Sequence, residues 1–555
     1  MSKEMSPQIV RTRLRPLPLD HHLRNASAFL LHRGGPLGNA LLHAEDRPLV
    51  RNQTPARRDG PRVFEAGHRR AAVHDLLQFD RHAVRVVDLE ENEPSRSLIR
   101  TVDRAFGLLG AVRFLEGYYL LVSGHKARVA ARLGHHKIYK VEDVSMLYIP
   151  SSGPSTNPDE QRYARLFQSV DITTDFYFSY TYDLSRNLQE NVLIARGANV
   201  EQEHVLEGHP FGSEPFKDNS IRKKWQLEIV HGYIGYQMVD LPCGKLTIAL
   251  IARRSALYAG TRFLKRGTNF DGAVANEVET EQIVWDANSS PSLETGRFVG
   301  HVQVRGSVPL FWSQDIASGG VVVGKPPIFF DLVEPHALAT ARHFRDLRRK
   351  YGHPLMIAQL TVRHLNEFRK EGKRIEYCNK SGLVMPKLEQ LGLKALLRHG
   401  WFQSFPQLVG HKLRQNPILK DYRPNYSEDG GLILQSGVVR TNCVDCLDRS
   451  NVAQYGAASP SASSSTRSAT WTSRGSPANS ELLRSFEEMF DEHGDTIALQ
   501  YAGSQLVHTI KTYKKISAFQ ERSRDVIQTI SRYYSNTFND FEKQNGINLF
   551  LGVFR

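Results

Sequence analysis

The chain has 555 residues, of which 40% are hydrophobic and 23% are charged, a composition typical of a water-soluble globular protein. The length predicts about two or three folded units, and the composition excludes collagen-like, wholly disordered and disulfide-stapled classes. Four cysteines are too few for a disulfide framework and no run of about 18 apolar residues is present, so we expect a soluble, cytosol-facing protein.

Basic residues outnumber acidic ones, 72 to 58, which leaves a net charge of +14. This balance favours an acidic partner, either nucleic acid, an anionic membrane surface or a phosphorylated substrate, although mild basicity also serves solubility alone. No nucleic-acid-binding module is recognisable, so we predict no nucleic-acid partner.

Residues 1–74 are predicted to form a basic, disordered arm. The first 70 residues carry a net charge of +7 and have clusters of Arg, His, Pro and Gly without helical or strand periodicity. A targeting peptide is the alternative reading, but Glu4, Asp20 and Asp46 interrupt the basic pattern and no signal-peptide core is present.

Residues 75–235 read as a β-rich unit. Short runs of strand-forming residues are bounded by Gly or charged residues: Tyr118–Ser123, Lys137–Val141 and Met146–Ile149. The aromatic alternation Phe176–Tyr182 is predicted to pack in a core, and the Gly- and Pro-containing stretch His204–Asn219 to form a loop or hinge.

From residue 236 the pattern becomes strand–helix–strand. Strands are predicted at Lys245–Ala252, Pro327–Val333 and Leu355–Leu360. A helix is predicted between the last two, with Pro335 in its first turn, an end at Gly352, and an apolar face of Leu338, Ala341, Phe344 and Leu347. This order predicts an α/β domain with a largely parallel sheet.

The stretch 457–480 interrupts this unit. It contains nine serines, three threonines and two prolines, a composition that predicts a linker or disorder. Further on, Ser523 is a candidate cap for a helix with Val526, Ile530 and Tyr533 on one face.

The apolar strand predicted at Leu432–Val439 leads into Cys443, and Arg449 follows six residues after that cysteine. A thiolate is the reactive form of cysteine, and a loop between a strand and a helix N-terminus favours negative charge. Five intervening residues let the loop wrap one phosphate, with its backbone amides at Val444, Cys446 and Leu447 facing the anion. Arg449 can then bind two phosphoryl oxygens, and Ser450 can donate a hydrogen bond to the thiolate.

The spacing of Cys443 and Arg449 is weakly specific by itself. Cys443 and Cys446 also form a Cys-x-x-Cys pair, so a redox pair or half a zinc site is an alternative. No second pair at metal-ligand spacing completes a zinc site. Cys243 and Cys378 lack an Arg six residues later and are predicted to be ordinary buried thiols.

The stretch Arg440–Asn451 (RTNCVDCLDRSN) resembles the signature of the SAC-domain phosphoinositide phosphatases, with Ser450 in place of the usual Thr. Five further stretches are similar to motifs of that family: Phe114–Tyr119, Tyr258–Gly267, Asn276–Gln282, Arg305–Trp312 and Ile547–Gly552. The residues of these motifs resemble those of the polyphosphoinositide phosphatase branch and its plant SAC relatives.

The resemblance implies a SAC fold, with a β-rich subdomain over 75–235 packed on an α/β catalytic subdomain over 236–555. It implies removal of an inositol-ring phosphate, in this branch the 5-phosphate of phosphatidylinositol 3,5-bisphosphate. Cys443 would be the nucleophile and Arg449 the phosphate clamp. Asp445 or Asp448 would be the general acid, with Asp445 slightly favoured, or would hold the loop's shape.

Arg262, Lys265 and Arg266 are the second candidate site. They either hold another ring phosphate or face anionic headgroups, or else they form a solvated strand end or pair with Glu277, Glu279 and Glu281. Arg305 and Trp312 are expected to shape the core. The family continues with an ordered helix after the phosphate loop, so the Ser-rich stretch would remove a support of the site.

Three functions follow as hypotheses: a lipid phosphatase, a catalytically weak scaffold in a lipid-kinase complex, and a protein-tyrosine phosphatase. Asn442 instead of His before the cysteine argues against the last. A phosphatidylinositol monophosphate is the alternative substrate. The mechanism requires no metal, although Mg²⁺ stimulation is compatible with it. We expect a cytoplasmic protein, peripheral on an endosomal or vacuolar membrane.

Overall fold

The structure is a computed structural model of the chain. It describes residues 28–33, 40–45, 76–80, 85–89, 99–105, 107–124, 127–150, 157–197, 226–241, 244–314, 328–332, 334, 336–352, 355–359, 434–443, 447–467, 477–506, 510 and 540–553. Within these ranges, no helix is both long enough and apolar enough to span a membrane.

The described residues contain strands in four sheets. In chain order the strands are β1 (Ala28–Arg33), β2 (Ala40–Glu45), β3 (Leu76–Asp80), β4 (Arg85–Leu89), β5 (Ile99–Ala105), β6 (Gly107–Arg113), β7 (Gly117–Ser123), β8 (Ala127–Leu133), β9 (His136–Val141), β10 (Val144–Pro150), β11 (Phe176–Phe178), β12 (Val230–Leu241), β13 (Gly244–Arg254), β14 (Val278–Asp286), β15 (Phe298–Ser307), β16 (Trp312–Gln314), β17 (Ile328–Phe330), β18 (Leu355–Gln359) and β19 (Val438–Cys443).

The helices of the same ranges flank these sheets. They are α1 (Pro158–Gln168), α2 (Leu188–Ala195), α3 (Leu338–Tyr351), α4 (Asp448–Arg467), α5 (Pro477–Ala502) and α6 (Asp540–Phe550).

The N-terminal sheet has five antiparallel strands in the order β4-β3-β1-β2-β5. Two of these strands, β1 and β2, lie within residues 1–74, so the prediction of a disordered arm is wrong for them. The apolar runs in β1 and β2 are too short to show a period along the sequence. Their hydrogen bonds come from pairing with each other, of β1 with β3 and of β2 with β5.

The three strands predicted between residues 118 and 149 are confirmed as β7, β9 and β10. In the sheet β10-β7-β6, side chains of one face pack against α1 and α6. Phe176 and Phe178 of β11 join the same apolar cluster, with Phe167 of α1 and Phe550 of α6. The aromatic alternation therefore packs in a core, as predicted.

The largest sheet is mixed, with the order β18-β19-β15-β14-β13-β12-β11-β9-β8. The α/β fold class is confirmed, but a largely parallel sheet is wrong: only β15–β19 and β18–β19 are parallel pairs, and the other pairs are antiparallel. The boundary drawn at 235/236 falls inside β12, and the sheet continues across it because β11 pairs with both β9 and β12.

The helix predicted before Gly352 is confirmed as α3, which covers one face of the sheet. Phe344 and Leu347 pack against β15, β18 and β19. The prediction that Leu338 belongs to this apolar face is wrong, because its side chain is 56% exposed in the first turn of the helix. Pro335 lies outside the described residues.

The other face is covered by α4 and α5. Val452 and Tyr455 of α4 join Phe486 and Phe490 of α5 in one cluster over β13. The linker predicted at 457–480 is wrong where the structure describes it, because α4 continues to Arg467 and α5 begins at Pro477. Small side chains such as those of Ser and Ala are compatible with a helix, and the burial of residues such as Ala458 stabilises α4.

Two other strand predictions need new bounds. The strand predicted at Pro327–Val333 is shorter, Ile328–Phe330, and pairs with β16. The strand predicted at Leu432–Val439 begins later, at Val438, and includes Cys443, since its pairing with β15 and β18 sets its length. The predictions for His204–Asn219 and for the helix after Ser523 lie outside the described residues.

Candidate active site

The candidate nucleophile lies at the end of β19. In the parallel ladder Cys443 is opposite Ser307 of β15, and α4 begins five residues later at Asp448. Leu447 is buried, whereas Val444, Asp445 and Cys446 lie outside the described residues. The arrangement is a strand, a short connection and a helix N-terminus, which favours an anion.

Arg440 holds the end of this strand in place. It is fully buried, and its guanidinium donates hydrogen bonds to the carbonyl oxygens of Ser307 (2.9 Å) and Gly306 (3.3 Å) and to the side-chain oxygen of Asn442. A Cβ on Gly306 would lie 2.9 Å from the guanidinium, so only glycine leaves room for it. Arg440 thus ties β19 to β15 just before the cysteine.

His343 of α3 is another partner of Arg440. The Arg440 Nε–H donates to His343 Nε2 at 3.1 Å, so the His343 Nδ1 carries the proton and donates to the Gly272 carbonyl at 3.0 Å. Burial, together with the charge of Arg440, holds the pKa of His343 well below its usual range. The neutral ring is therefore the form that accepts from Arg440. No sequence pattern predicts this role for either residue, and nothing in the chain separates His343 from an ordinary core histidine.

The basic segment around Arg262 lies beside the candidate nucleophile. The backbone N–H of Gly267 donates to the Ser307 hydroxyl at 3.0 Å, and Ser307 is the residue opposite Cys443. Tyr501 of α5 donates its hydroxyl to the carbonyl of Lys265 at 2.9 Å and approaches that of Arg262 at 3.2 Å. The structure therefore brings the two candidate sites together.

The same helix also supports the residue that precedes α4. Leu447 packs in one apolar cluster with Ala498, Tyr501, Ala502 and Leu506. Because Tyr501 belongs to the cluster that contains Leu447 and also donates to the basic segment, α5 couples the positions of the two.

The three basic side chains have different environments. Arg266 is buried and donates to the Gln314 side chain at 2.7 Å, with its guanidinium near the rings of Phe263 and Trp312. The Arg262 guanidinium lies 4.8 Å from the centre of the Phe263 ring. The ammonium of Lys265 lies 4.6 Å from that of Tyr258, and burial lowers the pKa of Lys265. Lys265 and Arg262 are only partly buried.

The alternative that these cations pair with the β14 carboxylates is wrong for Glu279 and Glu281. Glu279 forms ion pairs with Arg253 (3.0 Å) and Lys350 (2.7 Å), and Glu281 pairs with Arg253 (2.6 Å). The charge of the basic segment is therefore not neutralised by these two residues.

Trp312 and Arg305 are both fully buried, in agreement with their predicted place in the core.

The first turn of α4 is fixed by α5. Asp448 and Arg449 are half-buried, and Ser450 is fully buried with no hydrogen-bond partner for its hydroxyl within the described ranges. Asn451 donates to the Phe490 carbonyl at 2.7 Å and accepts from His493 Nδ1 at 2.9 Å. Gly494 permits this contact, because a Cβ there would lie 2.5 Å from the Asn451 amide nitrogen.

This geometry suits covalent attack on a phosphate. A cysteine at a strand end, an arginine in the first helical turn and a buried hydroxyl beside it can supply a nucleophile, a clamp for an anion and a hydrogen bond to the thiolate.

Comparisons with known proteins point to one family. A family model described as "SacI homology domain" matches residues 106–377. The chain is 34% identical over 502 residues to the "Polyphosphoinositide phosphatase" of Schizosaccharomyces pombe, covering 84% of the chain and 57% of that protein. It is 31% identical to "Phosphatidylinositol-3-phosphatase SAC1" of Arabidopsis thaliana, covering 82% and 58%.

A shorter Arabidopsis relative is covered more fully. The chain is 30% identical over 482 residues to "Phosphoinositide phosphatase SAC6", covering 80% of the chain and 75% of that protein. Against the two longer relatives, the chain spans less than two thirds of their length.

Proposed function

Because the chain belongs to the SAC family of phosphoinositide phosphatases, we propose that it hydrolyses a phosphate ester on the inositol ring of a phosphoinositide lipid. The observation that carries the proposal is the placement of Cys443 at the end of β19 with Arg449 in the first turn of α4, which supports phosphate binding between them. Within this activity we assign the 5-phosphate of phosphatidylinositol 3,5-bisphosphate as the group removed.

The proposed reaction has two steps. The Cys443 thiolate attacks phosphorus, the ester P–O bond breaks, and the departing inositol oxygen takes a proton from a carboxylic acid. Water then attacks the phosphocysteine, the P–S bond breaks, and phosphate and the thiolate are released. Arg449 and the loop amides offset the charge that develops on the phosphoryl oxygens.

Asp445 or Asp448 is the proton donor. Asp448 is in the first turn of α4, where a carboxylate also stabilises the helix dipole, so a structural role competes with catalysis at that position. We assign proton donation to Asp445 and expect a larger loss of turnover from Asp445→Asn than from Asp448→Asn.

The mechanism needs no metal, since Arg449 and the backbone amides carry the positive charge, and Mg²⁺ stimulation is compatible with it. We place the protein in the cytoplasm, peripheral on an endosomal or vacuolar membrane. Arg262 and Lys265 are partly exposed on the segment beside the nucleophile strand, which supports their contact with a second ring phosphate, whereas Arg266 is buried against Gln314.

A substrate panel tests the proposed activity. Phosphate release is measured from mono- and bisphosphorylated inositides with short chains, with Mg²⁺ and with chelator, and product isomers are identified by chromatography. We expect the highest kcat/KM on the 3,5-bisphosphate, with the 3-phosphate as product. Preference for a monophosphate would correct the substrate, and faster turnover of phosphotyrosine peptides would reject the lipid-phosphatase proposal.

Ser450 provides a prediction on pH dependence. In the proposed mechanism the Ser450 hydroxyl donates to the thiolate during the reaction, so Ser450→Ala should raise the pKa of Cys443 and move the acidic limb of the kcat/KM profile to higher pH. At low pH the loss should be about 10- to 100-fold, because a hydrogen bond to a charged group contributes about 1.5–3 kcal/mol. Ser450→Thr keeps the hydroxyl and serves as the matched control. Superimposable profiles for Ser450→Ala and wild type would refute the assignment.

The scaffold alternative loses its main support. It depended on the loss of the helix after the loop, and α4 is present there and packs on α5. Membership of a lipid-kinase complex remains compatible with catalysis. Co-purification with a phosphoinositide kinase, unchanged by Cys443→Ser, is the measurement that would support it.

A further inference from the structure

The strands that surround the nucleophile end at one edge of the large sheet. Because β14 is antiparallel to β13 and to β15, and β15 is parallel to β19, the strands β13, β15 and β19 all point the same way. Arg254, Val278, Arg305 and Thr441 lie side by side across them. Cys443 and the whole connection from β13 to β14, residues 255–277, are therefore at the same edge, here called the catalytic edge.

Exposed apolar side chains occur repeatedly in that connection. Leu257 is 56% exposed, Leu264 41% and Phe270 67%. The segment Leu257–Phe270, here called the docking segment, also contains Arg262, Lys265 and Arg266 and has no Asp or Glu. It thus combines exposed hydrocarbon with the partly exposed cations Arg262 and Lys265, whereas Arg266 is buried.

The docking segment is held firmly by its backbone. The N–H of Thr261 donates to the Gln544 side chain of α6 at 2.9 Å, and the N–H of Thr268 donates to the Leu310 carbonyl at 3.1 Å. With the Tyr501 and Ser307 hydrogen bonds already described, the segment is anchored at both of its ends. Exposure of Leu257, Leu264 and Phe270 is therefore a feature of an ordered surface.

Neighbouring elements extend the apolar surface along the catalytic edge. Phe541 of α6 is 70% exposed and lies three residues before Gln544, on the same helical face. Leu338, the first residue of α3, is 56% exposed. One turn later in the same helix, the Arg342 guanidinium donates a hydrogen bond to the Phe270 carbonyl at 2.7 Å. Large apolar side chains exposed together mark a surface that another phase or molecule covers.

We propose that the docking segment seats the protein on an anionic membrane, with Leu257, Leu264 and Phe270 entering the bilayer interface and the partly exposed Arg262 and Lys265 facing lipid phosphates. The inference rests on the proposed function, because a phosphoinositide headgroup is presented at a bilayer surface. Charge complementarity identifies the occupant: a segment with two partly exposed cations and no acid fits an anionic leaflet, and apolar side chains beside cations bind such interfaces. Docking at this edge brings the headgroup to Cys443.

Vesicle binding tests the surface directly. The probe is sedimentation with phosphatidylcholine vesicles, with or without about 20 mol% phosphatidylserine and lacking any phosphoinositide. The variant is Leu257→Ser/Leu264→Ser/Phe270→Ser, and the matched control is Val129→Ser/Met238→Ser/Leu434→Ser, which changes three side chains exposed elsewhere (39%, 47% and 45%). We expect the first to weaken binding about tenfold or more and the control to change it less than about twofold.

Two results would overturn the proposal: wild-type binding that does not depend on phosphatidylserine, or equal binding by both triple variants. If the docking variant has a lower melting temperature than the control, Leu264→Ser alone replaces it in the same assay.

Kinetics separate docking from catalysis. The docking variant should lose about tenfold in turnover of a vesicle-embedded substrate while its turnover of a short-chain, water-soluble inositide stays within about twofold of wild type. Equal losses on both substrates would place these side chains in the site and reject a docking role. Absence of turnover by wild-type protein on both substrates would reject the phosphatase proposal alone, since vesicle binding without phosphoinositide still decides the docking surface.

Discussion

Cys443→Ser is expected to abolish phosphate release, with kcat falling about 10³-fold or more. A serine hydroxyl stays protonated where a thiol ionises, so the phosphocysteine cannot form at a useful rate. The residue ends β19 opposite Ser307, and its replacement by an isosteric side chain leaves the ladder hydrogen bonds in place. The measurement is phosphate release under single-turnover conditions, with acid-quenched samples examined for phosphorylated protein.

Cys243→Ser is the matched control, because Cys243 has no arginine six residues later, and it should retain wild-type turnover. Circular dichroism should show that all three proteins are folded at the assay temperature. Wild type and Cys443→Ser proteins that are equally active, or equally inactive while folded, would contradict the nucleophile assignment. Loss of activity that depends on a Cys443–Cys446 disulfide would favour the redox alternative instead.

Arg253→Leu is expected to destabilise the fold by about 3–5 kcal/mol, because it leaves the buried Glu281 without its cation and leaves Glu279 with Lys350 alone. Arg253 is 2% exposed and pairs with Glu279 and Glu281. It also donates to the carbonyls of Leu184 and Arg186, so it links β13 and β14 to the turn before α2. The free energy of unfolding is measured by urea denaturation at neutral pH.

Arg297→Leu is the control for this prediction. Its guanidinium is 77% exposed and lies 3.9 Å from Asp286, so its loss should change the free energy of unfolding by less than about 1 kcal/mol. Equal effects of the two substitutions would mean that the buried cluster contributes no more than a surface ion pair.

The pH dependence of the Arg253→Leu deficit gives a second readout. Burial by itself raises the pKa of Glu279, but the charges of Lys350 and Arg253 outweigh it and lower this pKa to about 2. In wild type, the contribution of Glu279 is present above its unfolded pKa near 4.5 and is lost as pH falls towards 2. Without Arg253 the folded pKa rises, so the deficit should be largest at neutral pH and smaller near pH 4.

Local patterns predicted much of the fold correctly. A short run of strand-forming residues between Gly or charged residues predicts each of the strands β7, β9, β10 and β13. The spacing of apolar side chains predicts α3. The strand–loop–helix context of Cys443 was also predicted, because the motif lies within a dozen residues. Arg449 is predicted at the same site as Cys443 because it lies in the same short motif.

Predictions failed where a partner distant in the chain decides the outcome. The Ser-rich stretch has the composition of a linker, yet α4 runs into it because Tyr455 and Ala458 are buried beside α5. Likewise β1 and β2 are strands because they pair with each other, β1 with β3 and β2 with β5. The limits of β19 follow its parallel neighbours, which are not adjacent in sequence.

By itself, the sequence determined the candidate chemistry: a cysteine, an arginine six residues later and a hydroxyl beside it, all within one connection. Only the tertiary structure decided what holds that chemistry in place. Arg440 donates a hydrogen bond to His343, which lies nearly a hundred residues earlier in the chain. The basic segment is hydrogen-bonded to Ser307 and Tyr501, which lie in other parts of the chain. The physical reason is that a motif is specified by neighbours along the chain, whereas burial, hydrogen bonds and charge pairing are specified by neighbours in space.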